Sequence, residues 1–303
     1  MEKEADIYAV QESLQILSPG EWPEYQLMDS GEFEKLERFG DFVLRRPEPQ
    51  AVWTKSLSEN EWKKADATFI QEGSSSGKWE RRNRNMPDQW VLHYKRDTMT
   101  LRFRLGLTAF KHVGVFPEQS VNWDFIYSQS SRIKNANVLN LFAYTGGASL
   151  AARAAGADVI HCDSIRQVVN WANANMELSK QDGIRWLVED AFTFVNKEAK
   201  RGKKYNGIIL DPPAWGHGPR GEKWKLEEMI NELIAKTASI LENENCFYVF
   251  NAYSLGFSAL ILENLVRSHF EPSVLKETTS GELCLKELSG RKMPAGVFVR
   301  FAN

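Results

Sequence analysis

Four short segments of the chain each follow a run of apolar residues, and together they could bind a nucleoside-type ligand. The first contains Gly146 and Gly147, and paired glycines let a backbone turn tightly and approach a ligand. Asp163, Asp190 and Asp211 each follow one of the next three apolar runs. Carboxylates in such positions accept hydrogen bonds from ribose hydroxyls or from a base amino group. The order and spacing of the segments therefore predict one site.

The segment Asp211-Pro212-Pro213-Ala214-Trp215 is the most specific of the four. Its two prolines fix the backbone directly after a buried strand and lack N–H donors, which leaves carbonyls directed at the cleft. The Asp211 carboxylate and the Pro212 carbonyl could accept hydrogen bonds from a substrate N–H group. Trp215 could stack on a planar ring, at about 1 to 3 kcal/mol per base. Asp211, Pro212 and Trp215 are therefore the candidate catalytic residues.

Each of these residues also has a purely structural interpretation. Gly146 and Gly147 could only form a turn, Asp163 and Asp190 could be helix N-caps, and Asp211 could be a loop residue. Their order on successive strand and helix units favours the functional interpretation.

The residues from 137 onward alternate short apolar runs with helical stretches, which is typical of βαβ units and a parallel sheet. This pattern predicts an α/β fold with a Rossmann-like sheet of about seven strands. The predicted strands are 138–142, 159–162, 186–188, 207–210, 246–251, 273–278 and 297–301. The predicted helices are 148–155, 167–179, 191–201, 225–241 and 258–269.

The residues before about 110 follow a different pattern, in which aromatic-rich alternating segments are kept short by prolines. This pattern favours a smaller β-rich domain. We therefore expect an accessory domain over 1–110, a connecting segment at the cofactor cleft over 111–136 and a Rossmann-like domain over 137–303. A basic cluster in the first domain could touch phosphates or form a solvated surface. Its members are Lys78, Arg81, Arg82 and Arg84.

The bulk composition argues against several classes of protein. The 303 residues carry a net charge of −2, so any basic surface for a nucleic acid has to be local. The cysteines Cys162, Cys246 and Cys284 form no CxxC pair, which argues against a zinc cluster or a disulfide framework. No signal peptide and no run of about 18 apolar residues are visible. We expect a cytoplasmic protein without metal or membrane association, and the sequence leaves the oligomeric state open.

From about residue 110 to 251 the chain resembles the family that contains the large-subunit ribosomal RNA cytosine-5 and guanine-N7 methyltransferases. The resemblance rests on Gly-Val-Phe-Pro-Glu-Gln at 114–119, Asn-Leu-Phe-Ala-Tyr-Thr-Gly-Gly-Ala-Ser at 140–149 and Asp-Pro-Pro-Ala-Trp at 211–215. It implies a class I S-adenosylmethionine-dependent methyltransferase fold, with S-adenosyl-L-methionine as the cofactor.

The same resemblance implies where the parts of the cofactor would bind. Its methionine moiety would meet Tyr144, Thr145, Gly146 and Gly147, its ribose would meet Asp163, and its adenine would meet Asp190 and Ala191. The edge that it shares with the substrate would meet Asp211 to Pro213, and its amino-acid end would lie near His112 and Gln119.

The chain departs from the cytosine-5 enzymes of this family at one position. Transfer to that carbon needs a cysteine thiolate after the fifth strand, where this chain reads Phe-Asn-Ala-Tyr-Ser-Leu-Gly at 250–256. We therefore expect that none of the cysteines is catalytic, and that the methyl acceptor is a nucleobase nitrogen in RNA, with ribosomal RNA favoured.

Three alternatives remain open at this point. The acceptor could be a small molecule or a protein, or the chain could be a non-catalytic, cofactor-binding protein associated with RNA. A nicotinamide-dependent oxidoreductase is disfavoured, because the glycine segment at 145–150 lacks the Gly-x-Gly-x-x-Gly spacing.

Overall fold

The part of the chain that the computed structural model describes comprises residues 14–73, 76–253 and 256–303. The expectation that the chain carries no signal peptide concerns mainly residues 1–13, which lie outside this part. Within it, a large sheet carries helices on both faces, and further strands come from the first third of the chain. No helix among the described residues is long and apolar enough to cross a membrane.

The first third of the chain is built mainly from strands, as predicted. Strands β2 to β6 form a five-stranded sheet in sequence order, and β7 and β8 form a hairpin. The elements are β1 (Gln15–Leu17), β2 (Tyr25–Gly31), β3 (Glu34–Phe39), β4 (Phe42–Pro47), α1 (Glu59–Trp62), β5 (Ala67–Gln71), β6 (Gly77–Arg81), β7 (Gln89–Arg96) and β8 (Met99–Gly106).

The rest of the chain alternates strands and helices after one turn of 3-10 helix at Pro117–Gln119. The strands are β9 (Asn137–Leu141), β10 (Asp158–Asp163), β11 (Ile184–Val188), β12 (Gly207–Leu210), β13 (Trp215–His217), β14 (Lys223–Lys225), β15 (Phe247–Ala252), β16 (Thr279–Lys286) and β17 (Lys292–Ala302). The helices are α2 (Ser120–Arg132), α3 (Gly147–Ala154), α4 (Arg166–Leu178), α5 (Ala191–Lys200), α6 (Leu226–Ile240) and α7 (Ala259–Arg267).

The large sheet has the order β1-β16-β17-β15-β12-β9-β10-β11. Strands β9, β10, β11, β12 and β15 are parallel, and β17 runs antiparallel to both of its neighbours. The chain proceeds from β9 to β10 and β11 on one side and then returns to β12 on the other side. Such a reversal opens a crevice at the carboxyl ends of the strands, where ligands bind in open α/β sheets. The Rossmann-like prediction is therefore confirmed.

Apolar residues on the two faces of this sheet form separate cores. Residues of α2 and α3, such as Trp123 and Leu150, pack against one face together with the β7–β8 hairpin. Residues of α5, α6 and α7, such as Phe194, Leu233 and Leu262, pack against the other face. The hairpin therefore shares a core with the helices that flank the crevice.

Several elements differ from the sequence-based prediction, and one of them is the β13–β14 hairpin, which was not predicted. The predicted strand 273–278 is wrong: Val274 is buried within a turn that its N–H closes by a 2.9 Å hydrogen bond to the Glu271 carbonyl, and the strand starts at Thr279. Helix α2 was not predicted, because its serines and β-branched residues give no strong apolar stripe. Strand β1 was also not predicted, and it extends the large sheet to eight strands.

The basic residues Lys78, Arg81 and Arg82 in the first third of the chain form contacts within the chain. Arg81 forms an ion pair with Asp88, and the Lys78 ammonium lies 2.8 Å from the Glu72 carboxylate. Arg82 donates hydrogen bonds to two backbone carbonyls. Most of these charges are therefore committed to local structure, which favours the solvated-surface interpretation.

Candidate functional site

Two neighbouring cavities lie at the carboxyl edge of the large sheet. The first contains about 500 Å³ of empty space, part of which is open to solvent, and is lined by residues of α2, the loop after β9 and the ends of β12 and β15. The second contains about 330 Å³, also partly open to solvent, and is lined by the ends of β10 and β11 and by the β13–β14 hairpin. Phe142 lines both cavities and packs against Trp224, with 4.9 Å between ring centroids. The two cavities therefore meet at this ring.

The loop after β9 forms one wall of the first cavity. Tyr144, Thr145, Gly146 and Gly147, which the sequence analysis assigned to the cofactor, all line it. Gly146 has a φ of 92°, in the left-handed region that favours glycine. A Cβ at Gly147 would lie 2.6 Å from the Trp123 ring, so only glycine fits there. This close packing brings the start of α3 to the cavity.

Hydrogen bonds from other elements fix the conformation of this loop. The Thr145 hydroxyl donates to the Gly114 carbonyl over 2.7 Å. The Asn175 side-chain amide donates to the Thr145 carbonyl over 2.9 Å. Because these contacts come from the connecting segment and from α4, the loop geometry is set before any ligand binds.

Asp163 lines the second cavity and also accepts two backbone hydrogen bonds. One carboxylate oxygen accepts from the Tyr144 N–H and the other from the Ile165 N–H, both over 2.9 Å. Burial raises the pKa of Asp163, and these N–H groups oppose the shift. Each carboxylate oxygen can accept a further hydrogen bond, so this structural role leaves capacity for a ligand.

Asp190 and Ala191 line the second cavity at the start of α5. One Asp190 oxygen accepts the Thr193 N–H over 2.7 Å, which caps the helix. The N-cap interpretation of Asp190 is thus confirmed, while its position at the cavity is the one expected for a ligand contact.

Asp211 lines the first cavity without a partner of its own. Among the described residues, none forms a hydrogen bond or an ion pair with its carboxyl group, which is half-buried. Burial, with a smaller contribution from the Glu118 charge, raises the pKa of Asp211 to about 7. A carboxyl group with such a pKa can both accept and release a proton near neutral pH.

The residues after Asp211 diverge in their positions. Pro213 lines the second cavity, and its carbonyl accepts the Trp224 indole N–H over 2.7 Å. Pro212 is buried and lines neither cavity. Trp215 is 61% exposed, outside both cavities, and its ring lies edge-on to that of His217 at 4.5 Å. The structure therefore brings Asp211 and Pro213 to the cavities but leaves Pro212 and Trp215 outside them.

His112 and Gln119 also occupy different positions. Gln119 lines the first cavity. His112 lines neither cavity; its ring packs on Phe116, which in turn packs on Tyr144, with centroids 5.0 and 4.9 Å apart. Burial and the nearby Arg46 charge lower the pKa of His112 to about 3, so its imidazole is neutral at ordinary pH.

Several residues of the first cavity were missed by the sequence analysis. Asn122 donates hydrogen bonds to Gln119 and to Asn251, both over 3.0 Å, and all three line the cavity. Asn140 lines it too and donates to the Ser149 hydroxyl over 2.9 Å. Asn140 and Asn251 interrupt apolar strands, a signal that was available in the sequence. Asn122 lies on the unpredicted helix α2 and gave no such signal.

Thiol and metal chemistry find no support in the described part of the chain. All three cysteines are buried, and burial raises the pKa of Cys246 to about 11. Cys246 directly precedes β15, at the end of the sheet opposite the cavities. No group of three or more His, Cys, Asp or Glu residues that could hold a metal ion occurs among the described residues.

Comparison with known proteins places these features in a family. The family model described as S-adenosylmethionine-dependent methyltransferase matches residues 89–241, about half of the chain. A solved SAM-dependent methyltransferase from Agrobacterium tumefaciens is 34% identical, with a TM-score of 0.86, and the match covers 95% of this chain and 93% of that one.

Two further matches are more limited. A candidate methyltransferase solved in complex with SAH has a TM-score of 0.68 at 17% identity over 92% of this chain and 75% of that one, which shows the fold alone. The ribosomal RNA large subunit methyltransferase K/L of Shewanella frigidimarina is 32% identical over 141 residues. That match covers 44% of this chain and 19% of the relative, so the chain spans about a fifth of its length.

Proposed function

Since the chain belongs to the S-adenosylmethionine-dependent methyltransferase family, we propose that it transfers the cofactor's methyl group to a nucleobase nitrogen in RNA, with ribosomal RNA as the favoured substrate. The observation that carries the proposal is Asp211, a carboxyl group in the wall of the first cavity, at the carboxyl edge of the sheet, that has no hydrogen-bond or ion-pair partner among the described residues.

The lining of the two cavities fits the two ends of this cofactor. In the second cavity, Asp163 and Asp190 supply acceptors for ribose hydroxyls and for the adenine amino group. In the first, Gln119 and Asn251 supply amide groups, and the first N–H groups of α3 have no partners within the helix. A helix N-terminus attracts a carboxylate. We therefore assign the nucleoside to the second cavity and the amino-acid end to the first.

The bound cofactor would supply an electrophilic sulfonium methyl group, so the chain mainly has to align the acceptor. Good alignment is worth up to about 7 to 11 kcal/mol in intramolecular reactions. Asp211 can orient an acceptor by accepting a hydrogen bond from its N–H group. The buried Pro212 behind it holds the backbone after β12 in one conformation. Orientation by Asp211 is thus the main contribution that we assign to the chain.

Two observations support RNA as the substrate. The relatives K/L and I are named as methyltransferases of the large-subunit ribosomal RNA. The exposed Trp215 ring lies on the hairpin that borders the second cavity, which also carries the exposed Lys223 opposite His217. Stacking of a base on such a ring is tolerant of sequence, and a base in a structured RNA has to be flipped out to reach a cavity.

A labelling experiment tests this proposal. The full chain is incubated with methyl-tritiated cofactor and a bacterial cell extract, and the extract is then separated into RNA, protein and small molecules. We expect the label in the RNA fraction, in a form that ribonuclease releases. Label found only in protein or only in small molecules would show that the methyl acceptor belongs to that class and not to RNA. Cofactor binding without label in any fraction would favour a non-catalytic role.

A further inference from the structure

Asn122 on helix α2 connects three other polar side chains by hydrogen bonds at the first cavity. Its amide nitrogen donates to the side-chain oxygens of Gln119 and Asn251, both over 3.0 Å. Its amide oxygen accepts a hydrogen bond of 3.2 Å from the Arg300 guanidinium on β17. The three amide side chains line the cavity, whereas Arg300 lies behind them, outside its wall. The four side chains therefore form one hydrogen-bonded group.

Arg300 fixes which end of the Asn122 amide faces it. A guanidinium carries N–H donors and no acceptor, so the Asn122 oxygen has to point towards Arg300. The same guanidinium nitrogen also donates to the Val121 carbonyl over 3.3 Å, which holds it against α2. Burial lowers the pKa of Arg300 to about 10, so the group stays charged at neutral pH. The Asn122 nitrogen is thereby left to face Gln119 and Asn251.

The orientation of Asn122 fixes the other two amides in turn. Because its nitrogen can only donate, Gln119 and Asn251 have to turn their oxygens towards it. Each then has an amide nitrogen that forms no hydrogen bond to another residue in the described part of the chain. Asn251 is only 2% exposed, and buried polar groups almost always have a partner. The unused N–H donors at this wall therefore indicate a ligand that supplies acceptors.

The N-terminus of helix α3 adds donors to the same cavity. Its first two residues, Gly147 and Ala148, line the cavity, and the first N–H groups of a helix have no partner within it. The partial positive charge at a helix N-terminus also favours an anion. Donors from the 3-10 turn, β15 and α3 thus meet in one space. Such a set suits a carboxylate and not an ammonium group, which has only donors of its own.

We propose that Asn122, oriented by Arg300, makes the first cavity select the carboxylate of the cofactor's amino-acid end. The proposal rests on the assignment of that end to this cavity under the proposed function. The Gln119 and Asn251 nitrogens donate to the carboxylate oxygens, and Asn122 is the positioning residue that keeps both donors turned towards the ligand. Hydrogen bonds to a charged group are the stronger ones, so the selection is measurable as a difference in affinity.

Calorimetry with two ligands isolates the contribution of the carboxylate. SAH and its decarboxylated analogue, S-adenosyl-3-thiopropylamine, share the adenosine, the sulfur and the ammonium group and differ only in the carboxylate. We expect the wild type to bind SAH about ten-fold or more tightly than the analogue, the value of a hydrogen bond to a charged group. Equal affinities for the two ligands overturn this proposal alone, whereas no binding of SAH overturns the proposed function as well.

Variants at position 122 test the orientation of the two amides. In Asn122→Asp the carboxylate still accepts from Arg300 but has no donor, so Gln119 and Asn251 should turn their nitrogens towards it and their oxygens to the cavity. The preference for SAH over the analogue should then disappear or reverse. Asn264→Asp, exposed on α7, is the matched control for the added charge and should keep the preference of the wild type.

Two uncharged replacements separate orientation from charge. Asn122→Leu leaves the Arg300 charge in place but frees both amides, so the preference for SAH should fall. Arg300→Met removes the donor that orients Asn122 and should lower the preference in the same way. Full preference in Asn122→Leu overturns the role of Asn122, and full preference in Arg300→Met overturns the role of Arg300. An unfolded fraction reduces binding of both ligands alike, so the ratio of the two affinities reports the orientation and not the stability.

Discussion

The carboxyl groups on the two sides of Phe142 differ in what they bind. Asp163 and Asp190, in the second cavity, accept backbone N–H groups and so hold the loops that carry them. Asp211, at the first cavity, and Glu118, on the buried turn Pro117–Gln119 beside it, have no hydrogen-bond or ion-pair partner in another described residue, and burial raises the pKa of each to about 7. A carboxylate that backbone N–H groups hold in place can bind a ligand in a fixed position. A carboxyl group without such a bond to another residue, and with a pKa near 7, can take up and release a proton.

The largest expected effect comes from Asp211→Asn. The amide keeps the size of the side chain but is a far weaker proton acceptor, so we expect turnover to fall by about 100-fold or more. Stability at neutral pH should not fall, because no hydrogen bond is lost and the amide leaves no buried charge to desolvate. Turnover on RNA and the melting temperature check this. Asp158→Asn, at the exposed amino end of β10, is the control. A lower melting temperature with normal turnover per folded molecule would show that Asp211 only stabilises its loop.

Glu118 should make folding stability depend on pH. Its pKa is about 7 in the fold against an ordinary value of 4.5, so the folded chain holds the proton more tightly. The stability from this proton is fully present below the ordinary pKa and is lost as the pH rises towards 7. At about 1.4 kcal/mol per pKa unit, the loss is on the order of 3 kcal/mol.

Chemical denaturation at pH 5 and pH 8 measures this loss. Glu118→Gln cannot ionise, so the variant should lose less stability than the wild type between these two pH values. The control is Glu198→Gln, a change at a buried glutamate of α5, which leaves Glu118 in place and should retain the pH dependence of the wild type. Equal losses in Glu118→Gln and the wild type would mean that Glu118 keeps an ordinary pKa, and the contrast between the two cavities would disappear.

Asp163→Ala tests the role of the second cavity in binding the cofactor. Loss of the hydrogen bonds that the ribose hydroxyls donate to the charged carboxylate should cost about 1.5 to 3 kcal/mol of SAH binding, a weakening of ten-fold or more. The Tyr144 and Ile165 N–H groups would lose their acceptor as well, so the melting temperature should also fall. Calorimetry at a temperature where the variant is folded separates the two effects. Equal SAH affinity for variant and wild type would rule out the ribose assignment.

The sequence predicted the parts of the site that follow from local patterns. An apolar run that ends in an aspartate predicts both a strand and the position of the carboxyl group at the sheet edge, and β10 and β12 follow this rule. The sequence did not show that Glu118 is buried, since that depends on how β16, far away in the chain, packs against its turn. Helix α2 and its Asn122 were missed for the same reason: packing of Trp123 and Ile126, rather than local propensity, stabilises the helix.

The smallest expected effect comes from Asp190→Asn, which separates the two roles of one side chain. Asparagine caps a helix about as well as aspartate, so the oxygen that accepts the Thr193 N–H is retained and the melting temperature should not change. The second oxygen is replaced by an amide that cannot accept a hydrogen bond from the adenine amino group. SAH affinity should therefore fall by about ten-fold or less, the value of one hydrogen bond.

Asp190→Ala is the companion variant, since it should also remove the cap and cost about 1 kcal/mol of stability. Calorimetry with SAH and thermal unfolding of both variants give the comparison. If Asp190→Asn binds SAH as tightly as the wild type while Asp190→Ala is only less stable, the aspartate serves the helix alone. The adenine would then be held by the apolar wall at Ala191 and Trp224, and only Asp163 would combine a folding role with a ligand contact.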